Sequence, residues 1–119
     1  MVKLAVFASG SGTNFENIVN RINDGTIKNA AVALLVVDKE HAKAIERAKR
    51  LDIPWVYVNP KAFPSKAEYE EEILQYLRKR EVDLIALAGY MRIVSPVLLA
   101  AYPKRIVNLH PAYLPYFPG

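Results

Sequence analysis

Asn108 and His110 are the residues of this chain best suited to polarise a carbonyl and move a proton. They stand two apart in Arg105-Ile-Val-Asn-Leu-His110, an apolar run that leads into Pro111. In a β-strand, residues two apart point to the same side, and α/β proteins keep their chemistry at the carboxyl ends of parallel strands. An amide donor beside an imidazole could stabilise charge on a carbonyl oxygen and pass protons near neutral pH. The same pair could instead be structural, satisfying backbone groups of the following loop.

A second candidate is Ala8-Ser-Gly-Ser-Gly-Thr-Asn14, between an apolar run at Val2–Phe7 and an amphipathic stretch. Gly10 and Gly12 permit a tight turn and a close backbone approach. Free amides at the start of a helix, with the positive end of its dipole, favour an anion, and Ser11, Thr13 and Asn14 add side-chain donors. The Walker pattern needs a lysine that Thr13-Asn14 does not supply, and the dinucleotide pattern needs a third glycine where Phe15 stands. A simple phosphate monoester is therefore favoured over a nucleoside triphosphate or a dinucleotide. Thr13-x-x-Glu16 also reads as a capping box, which would stabilise the helix with or without a ligand.

The third segment is Ala88-Gly-Tyr-Met-Arg-Ile-Val-Ser95. Tyr90, Met91, Ile93 and Val94 are too apolar for an ordinary exposed loop. They could line a slot for a flat heterocycle whose edge is read by backbone groups, or they could pack onto the core. Arg92 faces either a ligand carboxylate or a surface acid.

The elements that must position these segments alternate between strand and helix. Phe15, Ile18, Val19 and Ile22 mark one helix face, closed by Gly25, and Ala30–Val37 reads as a central parallel strand buried on both faces. A helix over Lys39–Leu51 packs through Ala44, Ile45, Ala48 and Leu51; after Pro54 a strand covers Trp55–Val58, and Asn59–Ser65 is a loop. Tyr69, Ile73, Tyr76 and Leu77 predict a helix ending near Arg80, before a strand at Asp83–Leu87. A short helix runs from Ser95 or Pro96 to Tyr102, with proline tolerated in its first turn, and Arg105–Leu109 is the fifth strand. This alternation predicts a doubly wound, mostly parallel α/β sheet. Its strands share one carboxyl edge, where all three segments would meet.

Composition narrows the class. The 119 residues suffice for one domain with a core, and 52% are hydrophobic against 24% charged. The longest apolar run, Ala30–Val37, is strand-sized, so no membrane span is expected. A strand pattern from the first residues predicts no signal peptide, and zero cysteines exclude disulfides and thiolate metal sites and fit a reducing cytoplasm. No metal site is read. The net charge of +4 suits anionic small molecules better than nucleic acid, because Lys39, Lys43, Arg47, Lys49 and Arg50 alternate with Glu40 and Glu46 as on a solvated helix face. His41, on that same stretch, reads as surface. The chain ends inside His110–Gly119, a loop with three prolines, where a covering helix is expected, so it reads as truncated after the fifth strand.

Taken in order, Gly10-Ser-Gly-Thr-Asn14, Leu87-Ala-Gly-Tyr-Met-Arg-Ile93 and Asn108-Leu-His-Pro111, continued by Leu114-Pro and Phe117-Pro-Gly119, resemble the phosphoribosylglycinamide formyltransferase family. The likeness covers essentially the whole chain. It implies a Rossmann-like formyltransferase fold, with residues 1–119 as one amino-terminal domain incomplete at its carboxyl end. The implied reaction passes a formyl group from 10-formyltetrahydrofolate to the amine of glycinamide ribonucleotide in purine synthesis, with no metal.

The resemblance also assigns residues. Asn108 and His110 would be catalytic. Gly12, Thr13 and Asn14 would hold the substrate phosphate, assisted by Lys66, where many members carry arginine. Tyr90, Met91, Arg92, Ile93 and Val94 would flank the pterin. Ala112-Tyr113 departs from the commoner Ser-Leu. The family's catalytic aspartate has no counterpart in these residues, so the chain alone is expected to be inactive. Two alternatives stay open: a phosphate-binding or interaction module without catalysis, and a related folate-dependent hydrolase such as formyltetrahydrofolate deformylase. An exposed sheet edge would allow a homodimer.

Overall fold

In the computed structural model, which describes residues 1–109, the apolar runs become a five-stranded sheet. The strands are β1 (Val2–Ala8), β2 (Ala30–Val37), β3 (Trp55–Tyr57), β4 (Leu84–Ala88) and β5 (Ile106–Leu109). Their order is β3-β2-β1-β4-β5, and every pairing is parallel. β1 is central, and its Ala5, Val6 and Phe7 are fully buried, as a strand covered on both faces requires.

Strand alternation divides the core in two. α1 (Thr13–Asn23) and α2 (Lys43–Arg50) set Phe15, Val19, Ala44, Ile45 and Ala48 against Val6, Ala8, Leu35 and Val37. On the opposite face, α3 (Lys66–Lys79) and α4 (Pro96–Ala101) set Tyr69, Ile73, Leu77 and Leu98 against Ala5, Phe7, Val36, Ile85 and Leu87. Burying one such large side chain stabilises the fold by about 1.5–3 kcal/mol, so both faces are firmly attached. The doubly wound architecture is thus as the alternation predicts. The chain leaves β1 toward one face and β4 toward the other, which opens a crevice between the carboxyl ends of these neighbours.

Local details differ from the sequence reading. The second helix begins at Lys43 rather than Lys39; the preceding residues form a turn in which the Ala42 amide donates to the Lys39 carbonyl at 3.3 Å. No apolar side chain before Ala42 is available to anchor an earlier helical turn. The capping box does not form. Gly12 occupies the N-cap at φ 78° with no side-chain cap, and Glu16 is drawn to Arg47 and Arg50 on α2 instead. The loop after β3 contains a 3-10 turn, Pro60–Ala62, capped by the Asn59 side chain, which accepts from the Lys61 amide at 2.9 Å. Each helix-to-strand return carries a non-glycine residue in the left-handed region: Asn29, Asp52, Glu81 and Lys104.

Candidate functional site

The glycine loop crosses the carboxyl end of β1 and opens α1. Gly10 to Asn14, with Ala88 and Gly89 from the end of β4, line a cavity of about 370 Å³. The first-turn amides of α1 have no intrahelical partner, and no side chain caps them. The Ser11 and Thr13 hydroxyls hydrogen-bond each other at 3.0 Å. A small anion therefore meets unpaired amides, two hydroxyls and the positive end of the helix dipole. Gly12 is required for two reasons. Its φ is left-handed, and a Cβ there would lie 2.6 Å from Ala44 Cβ and 2.7 Å from Ala44 Cα.

The segment after β4 is tied to the glycine loop by two bonds. The Ser9 amide donates to the Gly89 carbonyl at 3.2 Å, and the Met91 amide donates to Ser9 Oγ at 2.8 Å. Tyr90 and Val94 pack onto the core, whereas Met91 and Ile93 stand 77% and 81% exposed. Tyr90 and Val94 thus follow the core-packing alternative, and Met91 and Ile93 do not. Tyr90 rests edge-on against Phe7, with ring centroids 5.3 Å apart, and its hydroxyl meets that of Tyr69 at 2.7 Å. Burial holds both phenols neutral: Tyr69 is pushed up to about 12, and Tyr90 is raised further, by burial first and then by the Tyr69 bond.

Arg92 faces a protein acid. Its Nε donates to Asp38 Oδ2 at 3.1 Å, and its guanidinium lies over the Tyr69 ring. Asp38 closes β2 and is buried; its Oδ1 has no partner among the described residues. Lys66 is not brought to the glycine loop. Its Nζ donates to the Ile93 carbonyl at 3.0 Å, and it lines a second cavity, of about 190 Å³, with Phe63, Tyr69, Arg92 and Ile93.

Asn108 is exposed on β5 and pairs with Leu87 of β4, which in turn pairs with Phe7 of β1. It therefore lies two strands from β1, roughly 10 Å across the sheet, at the same carboxyl edge. It shares the strand face of Ile106, which, like Tyr90 and Val94, packs against the core on the α3 and α4 side. His110 lies outside the described residues. Among those described, no group of three metal-ligating side chains converges, and no helix is long and apolar enough to cross a membrane. His41 is exposed, as expected, although it lies in the turn before α2.

Three supporting residues escaped the sequence reading. Glu70, on α3, is 1% exposed, and its carboxylate accepts from the Ser95 amide at 2.9 Å, the Ser95 hydroxyl and the Leu98 amide at 3.1 Å. It caps α4 and fixes the end of the Tyr90–Ser95 segment. The available signal was its position on the apolar stripe of Ile73, Leu74 and Leu77. Asp38 was signalled by an acid directly after the apolar run Ala30–Val37. Arg47, expected on a solvated face, is half-buried and donates to the Ser11 carbonyl at 2.7 Å and to Glu16 at 2.6 Å.

Comparison with known proteins adds to this geometry. A family profile described as formyl transferase matches residues 2–119. The chain is 52% identical over 119 residues to phosphoribosylglycinamide formyltransferase of Bacillus subtilis, covering 100% of this chain and 60% of that protein. It is 45% identical to the chloroplastic phosphoribosylglycinamide formyltransferase of Arabidopsis thaliana, covering 98% of this chain and 40% of that protein. The crystal structure of glycinamide ribonucleotide transformylase 1 from Geobacillus kaustophilus superposes with a TM-score of 0.90 at 56% identity, over 100% of this chain and 63% of that one. The chain thus spans about three fifths of the length of its bacterial relatives.

Proposed function

The chain belongs to the formyl transferase family, and from that premise we propose that the whole protein transfers a formyl group from 10-formyltetrahydrofolate to the amine of glycinamide ribonucleotide. The observation that carries this reading is the common carboxyl edge of β1, β4 and β5. The glycine loop follows β1, the Tyr90–Val94 segment follows β4 and Asn108 lies on β5, all at that edge.

In this reading Gly12, Thr13 and Asn14 hold the ribonucleotide phosphate, and its amine extends toward β5. Tyr90 to Val94 flank the pterin, with exposed Met91 and Ile93 as its apolar contacts. Lys66 stands beside that segment, lining a cavity with Ile93 and Arg92, and Asp38 holds Arg92 in place. The substrate amine is itself the nucleophile, so no serine or cysteine is required. Its nitrogen bonds to the formyl carbon, charge collects on the formyl oxygen, and the bond from that carbon to the folate nitrogen breaks. The amine gives up a proton and the departing nitrogen takes one. Asn108 donates to the oxyanion and His110 moves the protons; such donors contribute about 3–4 kcal/mol.

The test is formyl transfer by the full-length protein. Asn108→Ala and His110→Ala should each lower kcat by at least about 100-fold, and titration with a folate analogue should show binding that depends on the ribonucleotide site. Near-normal turnover in both variants, or phosphate binding without folate binding, would reject the reading. The second of these outcomes would favour a non-catalytic phosphate module.

A further inference from the structure

Building on the reading of the glycine loop as the phosphate site, we infer that α2 sets the direction of that loop's amides, with Arg47 as the positioning residue that turns the Ser11–Gly12 peptide toward the ligand. Two successive loop carbonyls point to α2. The Gly10 carbonyl accepts from the Ala44 amide at 3.1 Å, and the Ser11 carbonyl accepts from Arg47 Nε at 2.7 Å. No cis peptide occurs among the described residues, and in a planar trans peptide the N–H points opposite to the C=O. The amides of Ser11 and Gly12 are therefore aimed away from α2, and neither has a partner among the described residues.

The topology says what lies in that direction. α2 follows β2, on one side of β1; on the other side is β4, whose Ala88 and Gly89 help line the loop's cavity. Both amides thus face the anion space. Arg47 does not line that cavity, so it acts through Ser11 rather than by touching the ligand. Its guanidinium is fixed from behind by Glu16 at 2.6 Å. Gly12 completes the mould, because only a residue without Cβ lets the loop approach Ala44 closely enough. Arg50 also binds Glu16 but, among the described residues, makes no bond to the loop, which makes it an internal control.

The experiment is titration of the full-length protein with inorganic phosphate, followed by amide NMR. In the unsubstituted protein the Ser11 and Gly12 signals should shift saturably. Arg47→Met should weaken phosphate binding about tenfold, moving the midpoint of those shifts to about tenfold higher phosphate, while Arg50→Met, which removes a comparable Glu16 contact, should change it less than about threefold. In the transfer assay, Arg47→Met should raise KM for the phosphate-bearing substrate about tenfold with kcat nearly unchanged, and Arg47→Lys should recover part of the loss. Normal phosphate binding by Arg47→Met, or equal weakening by Arg50→Met, would overturn the inference. Absence of saturable shifts in the unsubstituted protein would overturn the phosphate reading itself, and this inference with it.

Discussion

Replacing Glu70 with glutamine is the sharpest test of how the Tyr90–Ser95 segment is held. The carboxylate is buried, and its two oxygens accept three hydrogen bonds, from the Ser95 amide, the Ser95 hydroxyl and the Leu98 amide. Glutamine keeps one acceptor oxygen. With that oxygen placed toward Leu98 and the Ser95 hydroxyl, the new NH₂ confronts the Ser95 amide, donor against donor. A lost bond to a charged group costs about 1.5–3 kcal/mol, so Glu70→Gln should destabilise the protein by about 2 kcal/mol. At roughly 4 °C per kcal/mol for a chain of this size, Tm should fall by about 8 °C. Urea unfolding should show the same loss as a lower midpoint at unchanged slope. Because Ser95 ends the segment assigned to the pterin, binding of a folate analogue should weaken more than binding of phosphate. A stability change below about 0.5 kcal/mol, the range of an ordinary surface substitution, would show that the carboxylate does not carry the start of α4.

Gly12→Ala should cost about 2–4 kcal/mol, from the left-handed backbone and from overlap with Ala44, whereas Gly10→Ala, with nothing within 4 Å of its Cβ, should unfold near the normal midpoint in urea. Glu16 is held near a pKa of about 2 by hydrogen bonds from Arg50 and then Arg47, against an ordinary value of 4.5. Its folded value is depressed, so its contribution is complete above pH 4.5 and is lost as pH falls toward 2. Thermal melts of Glu16→Gln should therefore differ from those of the unsubstituted protein at pH 7 and converge with them near pH 2. Lys104 holds φ 59° in the turn before β5; Lys104→Gly should be neutral to stabilising by about 0.5 kcal/mol, because relief of the left-handed backbone outweighs the added chain entropy. Lys104→Val should instead lower the midpoint.

The sheet was legible in the sequence because its strands are nearly continuous apolar runs. Val2–Phe7 and Ala30–Val37 can be read as buried strands without knowing their partners, and parallel alternation then fixes a shared carboxyl edge. What escaped detection was decided over long sequence separations. Glu16 and Thr13 satisfy the local rule for a capping box, yet Arg47 and Arg50 lie 31 and 34 positions away and capture the carboxylate. Arg92 pairs with Asp38 across 54 positions, and Glu70 reaches Ser95 across 25. The charged stretch from Lys39 has spacing compatible with a helix, but Lys39, Glu40 and His41 offer no apolar side chain to bury, and the helix begins only after Ala42 is buried. The resemblance gives Lys66 an assisting role at the phosphate; at the head of α3 its Nζ donates to the Ile93 carbonyl.

These misses share a physical origin. The loops after β1 and β4 each owe their shape to a helix from elsewhere in the chain. α2 grips the glycine loop by its carbonyls, through Ala44 and Arg47. α3 holds the β4 segment through Lys66, Tyr69 and Glu70, and Asp38, at the end of β2, anchors Arg92. Loops that carry chemistry are ordinarily the least stable parts of a fold. Here the two that would receive the substrates are fixed from opposite faces of the sheet before any ligand arrives, so little ordering cost is left for binding. The donors at the crevice are then free to act on the ligand, since the residues that fix them in place stand behind the loops.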